Sequence, residues 1–231
     1  MWINTNTCGE DYKDYIELWI HEIKLPIATS KMIAINNKND ATKSINEELE
    51  KIENYTEQAL FYARSSTVEK DYYIKKTNLK EIVSDTIKKN KTVLIHDKVL
   101  LNVHDLDIEV NTDKKWVTFI LNQITQNSIK YKKQDSILEL EIYAKQGKER
   151  IVLCVKDNGI GIKKEEIKKV FDKGFTGTNG RLSGKKSTGI GLYLCRKLCD
   201  KLGIGIEIAS TQNEGTELSL AFPKGSFIDI N

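Results

Sequence analysis

The chain has 231 residues, 39% hydrophobic and 30% charged, which suits one large or two small globular domains able to bury a core. Its net charge is only +3, with lysines and acids interleaved and no dense basic block carrying aromatics, so nucleic acid is excluded as an expected partner. No apolar run reaches about 18 residues and the start is polar, so neither a membrane span nor a signal peptide is read from the sequence. A polar start of this kind also suits the cytoplasmic portion of a longer membrane protein. Cys8, Cys154, Cys195 and Cys199 lack the spacing of a zinc site, and reduced, mostly buried thiols point to the cytoplasm.

Residues 11–36 read as one long helix. Tyr12, Ile16, Trp19 and Ile23 recur at spacings of four, three and four, a coiled-coil-like seam. A polar turn follows at 36–40. A second helix covers 41–66, with Ile45, Leu49, Ile52, Thr56, Ala59 and Ala63 in the same alternation. Two helices joined by a short turn pack antiparallel. A lone hairpin leaves each seam half covered, so the expected assembly is a homodimer closed as a four-helix bundle. This all-α hairpin, residues 10–67, carries His21-Glu22-Ile23-Lys24-Leu25-Pro26. At about 100° per residue, His21 lies roughly 170° from the seam, on the exposed face, with Leu25 one turn on. Pro26 cannot donate to the helix ladder and crowds the carbonyl of Glu22, which loosens the backbone just past the histidine.

Residues 65–77 read as a charged connector, and from Asn78 the pattern changes. Leu79, Ile82, Val83 and Ile87 mark a short helix. Residues 92–101 and 107–111 read as strands, and 113–131 as a strong helix with Trp116, Ile120, Leu121 and Ile124 on one face. Residues 137–144 and 151–156 alternate like paired strands about the turn Gln146-Gly147-Lys148. A short helix at 163–170 precedes a Gly/Ser/Lys/Thr-rich loop at 172–187, of the length of a functional lid. Helix 189–202 and strands 204–209 and 216–222 complete an α+β two-layer sandwich, residues 77–224, with helices on one sheet face.

Three stretches carry chemistry. In Asn127-Ser128-Ile129-Lys130-Tyr131, at a helix end, an amide oxygen can hold a hard divalent cation and Lys130, on the same face, can reach a phosphate. In Asp157-Asn158-Gly159-Ile160-Gly161, a carboxylate at a strand end precedes two glycines that let the backbone turn sharply. It can accept a hydrogen bond from an exocyclic amine such as adenine's. In Ser187-Thr188-Gly189-Ile190-Gly191-Leu192, small residues open a helix and free backbone N–H groups for an anion, with Arg181, Lys185 and Lys186 adding positive charge. A phosphate-binding loop of the Walker type is excluded: only three residues separate Gly180 from Gly184, and no hydroxyl follows Gly184-Lys185-Lys186 in the required place. A dinucleotide fold is excluded because no G-x-G-x-x-G follows a first strand.

The order Asn, Asp-x-Gly-x-Gly, Gly-x-Gly, with Phe171 and a glycine-rich lid between the last two, resembles the ATP-binding module of sensor histidine kinases, gyrase, Hsp90 and MutL. With His21-Glu22 in a hairpin just before it, the chain over 11–223 resembles the cytoplasmic transmitter of a bacterial sensor histidine kinase. The wording His-Glu-Ile-Lys-x-Pro and Asn-Ser-Ile-Lys-Tyr is most similar to the small membrane kinases that sense peptide antibiotics beside ABC transporters. The resemblance implies His21 as phosphoacceptor and Glu22 as the base that activates its ring. It implies Asn127 as the Mg²⁺ ligand, and Lys130 and Tyr131 beside the nucleotide. Asp157 would read adenine, Gly159 and Gly161 would shape the pocket wall, and Phe171 would anchor the lid. Lys185, Thr188, Gly189, Gly191 and Leu192 would form the phosphate side, and Thr216 would support the adenine contact. ATP and Mg²⁺ are the implied cofactors and a response regulator receiver domain the implied partner.

Two positions depart from that pattern. Gln123 stands where the family has Asn, and related ATPases place a Glu base on this helix. Gln cannot act as a general base, which fits transfer to a side chain better than hydrolysis. Leu25 stands where a Thr or Asn positions water against the partner's phosphoaspartate, so phosphatase activity is expected to be weak. The rival readings are a non-catalytic nucleotide-binding dimeric scaffold and a conformational ATPase of the gyrase type.

Overall fold

The computed structural model describes residues 5–37, 40–66, 72–178 and 188–224; the side chains of 5–15, 17–19, 21, 40, 43, 47 and 66 lie outside that description. The chain divides into two compact units, residues 1–71 and 72–231.

The first unit is a helical hairpin of α1 (Thr5–Asn36) and α2 (Asp40–Ser66). Asn37 ends α1, its Nδ2 donating to the Ile33 carbonyl at 2.9 Å, while Thr42 donates to the Asn37 carbonyl. The helices pack along each other and an ion pair joins Lys31 to Glu53. The helix continues through Pro26, which removes the donor that the Glu22 carbonyl would otherwise meet. The buried stripe of α1 is Ile20, Ile27 and Ala34, seven residues apart as a packed helix pair requires. Ile16 and Ile23, on the expected seam, are half-buried. On α2 the seam is buried at Thr56 and Ala63 but open at Ile45 and Ile52, and Phe61 is buried beside it.

The second unit is a two-layer α+β sandwich. In chain order it runs β1 (Lys75–Asn78), α3 (Leu79–Lys89), α4 (Lys91–His96), β2 (Leu100–His104), β3 (Glu109–Thr112) and α5 (Lys114–Lys130). It continues β4 (Glu139–Gln146), β5 (Arg150–Asp157), α6 (Lys164–Ile167), α7 (Gly191–Leu202), β6 (Gly205–Thr211) and β7 (Gly215–Pro223). Five strands form one sheet in the order β2-β4-β5-β7-β6, and β1 pairs with β3 as a separate ribbon. β2 runs parallel to β4 and the other neighbours are antiparallel. Alternation explains the layering. Leu140, Ile142 and Ala144 of β4 and Leu218, Leu220 and Phe222 of β7 are buried, with more exposed residues between them. They share the core with Trp116, Phe119 and Ile120 of α5 and Leu194 and Leu198 of α7.

Local capping sets the helix ends. Asp113 Oδ1 accepts from Trp116 N at 3.0 Å, so α5 starts there. Its Oδ2 takes the Tyr73 N–H at 2.8 Å, tying the entry segment to this unit. Asn78 caps α3 through Lys80 N at 2.9 Å, and Gly203, at φ 65°, ends α7.

Two stretches differ from the sequence reading. Residues 92–101 are not one strand: Lys91–His96 is helical, with Leu94 N donating to the Asn90 carbonyl at 3.0 Å, and the strand begins at Leu100. Thr92, Val93 and Ile95 favour a strand locally, but the turn is held by Asn90, whose Nδ2 bonds Thr86 O at 2.9 Å and Asn122 Oδ1 at 2.8 Å in the interior. β1 overlaps the end of the stretch read as connector, at Lys75–Thr77. Its four residues, Lys-Lys-Thr-Asn, gain strand geometry only from pairing with β3.

Candidate functional site

The site is built around Asp157, the last residue of β5. Its Oδ1 accepts from Gly159 N at 2.9 Å and Thr216 N at 3.2 Å. Its Oδ2 accepts from the Ser128 hydroxyl at 2.7 Å. Three donors from three elements thus hold a part-buried carboxylate as an acceptor. Asp157 and Thr216 are register partners across β5 and β7, and Ser128 reaches them from α5. The neighbouring Asn158 bonds Glu139 N at 3.0 Å and Ile137 O at 3.1 Å, fixing the start of β4 beside the same turn.

Close backbone approach explains the glycines. A Cβ on Gly215, at φ 142°, would lie 1.9 Å from the Asp157 carbonyl; one on Gly161, at φ 63°, would lie 2.0 Å from the Thr211 carbonyl. Ile160 N donates to the Tyr131 carbonyl at 3.0 Å, and Asn213 N donates to the Ile160 carbonyl at 2.8 Å. The Gly159–Gly161 turn is thereby stitched to the end of α5 on one side and to the β6–β7 turn on the other. Ser210 is a second hub: its hydroxyl accepts from Ile162 N at 2.9 Å, lies 2.9 Å from Thr216 Oγ1 and donates to the Gly215 carbonyl at 2.7 Å.

The structure therefore brings Asp157, Gly159, Gly161, Tyr131 and Thr216 together, with Asn127 and Lys130 on the same helix end. Tyr131 contributes its carbonyl, and the Lys130 ammonium sits 5.5 Å from the Tyr131 ring centre. Gly191 begins α7 with its Cα against Gln123, where an added Cβ would lie 3.0 Å from Oε1. Gly189, at φ 66°, adjoins Gly174, whose N–H donates to the Gly189 carbonyl at 3.0 Å. Thr188 Oγ1 accepts from Ile190 N at 3.4 Å, and Leu192 is half-buried. Phe171 is found elsewhere: the Arg196 guanidinium stacks on its ring at 4.4 Å, beside a groove lined by Ile167, Ile206 and Ile208. Lys185, with Arg181, Lys186 and Ser187, lies outside the described residues. So does the His21 side chain, while Glu22 is exposed.

Sequence reasoning missed Ser128 and Ser210 as contacts of this site. It also missed Glu166 on α6, whose Oε1 accepts from both Thr178 N (2.8 Å) and Thr178 Oγ1 (2.7 Å) where the loop after α6 ends its described part. Beyond the site, burial pushes the Cys199 thiol up to about 12 and the Cys195 thiol well above its ordinary value, so both are inert core residues. Burial raises the Asp97 carboxyl, but Lys132 and His96 outweigh it and hold that group below its usual range. Among the described residues, no group of three His, Cys, Asp or Glu side chains converges as a metal site.

Residues 112–226 match the family described as histidine kinase-, DNA gyrase B- and HSP90-like ATPases. Over most of its length the chain is also similar to sensor kinases. It is 35% identical over 212 residues to sensor histidine kinase YxdK of Bacillus subtilis (strain 168), a match spanning 90% of this chain and 64% of that protein. It is 34% identical over 221 residues to sensor protein BceS of Halalkalibacterium halodurans, spanning 94% and 64%. Among solved structures, the histidine kinase AdeS of Acinetobacter baumannii superposes with a TM-score of 0.64 at 15% identity, over 89% of this chain and 98% of that one. That likeness is one of fold. The chain belongs with the bacterial sensor histidine kinases, and it spans about 64% of the length of these two relatives.

Proposed function

We propose that this chain is the transmitter portion of a two-component sensor kinase, which phosphorylates itself on His21 from Mg-ATP and passes the phosphoryl group to an aspartate of a response regulator receiver domain. The observation that carries the reading is the Asp157 carboxylate, held by three donors above a glycine turn that no side chain could occupy. An oriented, part-buried, acceptor-only group suits the exocyclic amine of adenine. Similarity that runs through the hairpin as well as the sandwich supports joining this site to His21.

The residues present fit the cofactor. Asn127 is half-buried on α5, and one amide oxygen suffices for Mg²⁺, which takes few protein ligands and fills its shell with phosphate oxygens and water. Bound there, the ion would neutralise charge on the phosphates. The chain's own groups do the rest. Asp157, Gly159, Gly161 and Thr216 seat the base, and Lys130, Thr188, Gly189, Gly191 and Leu192 line the phosphate side. Lys185 supplies positive charge from the loop, and Phe171 anchors the loop's root. A His21 ring nitrogen attacks the γ-phosphorus in line, the bond to the β-phosphate oxygen breaks, ADP leaves, and Glu22 takes the imidazole proton. Such transfer relies on positioning and charge neutralisation more than on covalent help from the protein.

The working form is a homodimer through the hairpins, at the cytoplasmic side of a membrane whose spanning segments lie N-terminal to this chain. The wording of the His21 and Asn127 stretches supports a kinase of the group that senses peptide antibiotics. The test is incubation with Mg-ATP labelled on the γ-phosphate. Acid-labile, base-stable label that maps to His21 is the expected outcome. Nucleotide binding without label would make the protein a scaffold and sink the kinase reading.

A further inference from the structure

The three donors to Asp157 are not equivalent. Gly159 N and Thr216 N both address Oδ1. Both are backbone groups, fixed by the turn and by the β5–β7 register, so no side-chain change on those residues removes them. The other oxygen, Oδ2, has one protein donor among the described residues, the Ser128 hydroxyl at 2.7 Å. Ser128 is 5% exposed and sits one residue beyond Asn127. About 100° of helix rotation separates the two, so when Asn127 faces the phosphate side, Ser128 faces the base side. The terminal torsion of an Asp side chain is broad and weakly restrained. Because the carboxylate is planar, all three bonds restrain one rotation, and Ser128 supplies the only one made directly to Oδ2 and the only one made by a side chain.

We propose that Ser128 is a positioning residue that sets nucleobase selectivity by aiming Asp157 Oδ2 at the exocyclic amine of adenine. The inference rests on the ATP-binding reading of this site. Its chemistry is specific. An acceptor aimed at that position attracts the 6-amino group of adenine and repels the 6-oxo group of guanine. A carboxylate held by two donors instead of three turns more widely and loses part of the attraction and part of the repulsion. The Ser128 hydroxyl also meets Asp157 with its proton, so it gives the pair no donor with which to welcome an oxo group. Serine suits the position because its hydroxyl is short, buried and has one hydrogen to give.

The test is calorimetric binding of ATP and, separately, GTP to the full chain as wild type, Ser128→Ala and Ser128→Cys. A hydrogen bond to an ionised group is worth about tenfold or more in an equilibrium, and Ser128 passes part of that to ATP through the carboxylate it holds. The expected result is that Ser128→Ala binds ATP about tenfold more weakly while GTP affinity is unchanged or improved, so that the ATP-to-GTP preference collapses. Ser128→Cys, which keeps a weak donor and a similar volume, falls between. Equal weakening of both nucleotides means a merely structural role and overturns the proposal. So does an unchanged preference in Ser128→Ala when the wild type prefers ATP, and in that case the ATP-binding reading itself survives. A wild type that binds neither nucleotide overturns both.

Discussion

The two units solve the problem of burying apolar surface in opposite ways. In the sandwich, Trp116, Phe119, Phe222, Leu140 and Leu153 are almost wholly enclosed within one chain. In the hairpin, Ile20 and Ile27 are enclosed, yet Leu25, Met32, Ile33, Ile35, Ile45, Ile52 and Tyr55 remain exposed, between 44% and 71%. Glycine is divided just as sharply: Gly9 is the only one of 14 before residue 147. The sandwich needs glycine because its backbone segments approach within contact of each other around Asp157. The hairpin needs none because its surface is side chains presented on regular helix. One unit is a finished binding site. The other is a presenting surface, whose apolar excess calls for a second molecule.

The largest test of that division separates the two jobs. Asp157→Asn turns an acceptor-only group into one that also presents donors and is expected to abolish ATP binding and labelling together. His21→Ala is expected to abolish labelling while ATP affinity stays within about twofold, since the hairpin supplies no part of the binding site in this reading. Calorimetry beside γ-phosphate labelling measures both. If His21→Ala lost ATP affinity as well, the separation of roles would be wrong.

Next comes stability. Gly215→Ala forces a Cβ toward a carbonyl 1.9 Å away at φ 142°, a backbone conflict that costs roughly 1–3 kcal/mol for the strain alone. The unfolding midpoint should fall by roughly 2–4 °C per kcal/mol in a unit of this size, with loss of ATP binding because the Asp157 turn shifts. No hairpin substitution of a small residue should match that. The exposed seam instead governs assembly: Ile45→Glu with Ile52→Glu is expected to move the protein from dimer to monomer in light scattering, leaving ATP affinity unchanged. A wild type that is a strict monomer at high concentration would remove the bundle from the model of action.

Leu25 tests the presenting face more finely. It is 71% exposed, one turn past His21, and has no polar atom to orient water. Phosphorylated regulator mixed with this protein and ADP should lose its label no more than about twofold faster than alone, and Leu25→Thr should accelerate the loss. Brisk dephosphorylation by the wild type would refute the assignment.

The contrast also decides what could be read from the chain. α5 was legible because its capping Asp113 and its apolar face are local. The Asp157 turn was legible because Asp-x-Gly-x-Gly states both a carboxylate and a backbone that must turn. Ser128 and Ser210 were not legible as site residues: their hydroxyls act on a group 29 residues away in one case and on a neighbouring strand in the other, and nothing local marks them. α4 was misread because Thr92, Val93 and Ile95 favour strand, while the Asn90 bonds that make the turn depend on Asn122 in another helix. In the hairpin the 4–3 alternation gave both helices; of the α1 seam it named, Ile16 and Ile23 are half-buried, while Ile20, which it did not name, is buried. A helical face is defined only to within a residue when aromatic and aliphatic candidates such as Trp19 and Ile20 adjoin.

The smallest effect lies at the free edge of the sandwich. His104, at the end of edge strand β2, has Nδ1 at 2.8 Å from Asp105 and Nε2 at 3.0 Å from Glu141 on β4, and its ring stacks on Tyr143. A neutral imidazole has one N–H and can satisfy only one carboxylate; the imidazolium satisfies both. Asp105 first and Glu141 second therefore hold the His104 pKa above its ordinary value. The folded state binds this proton more tightly than the unfolded chain does. The stabilisation is thus fully present below the unfolded value, about 6.5, and is lost as pH rises through the raised folded value. The ring is well exposed and solvent screens the pair, so the change in unfolding midpoint is expected to be about 1 °C or less. Nuclear magnetic resonance titration is the sharper measurement. Asp105→Asn should lower the His104 pKa more than Glu141→Gln, and His104→Phe should flatten the pH dependence of the midpoint across this window. A His104 pKa that neither substitution lowers would mean that the strand edge carries no proton-linked clip.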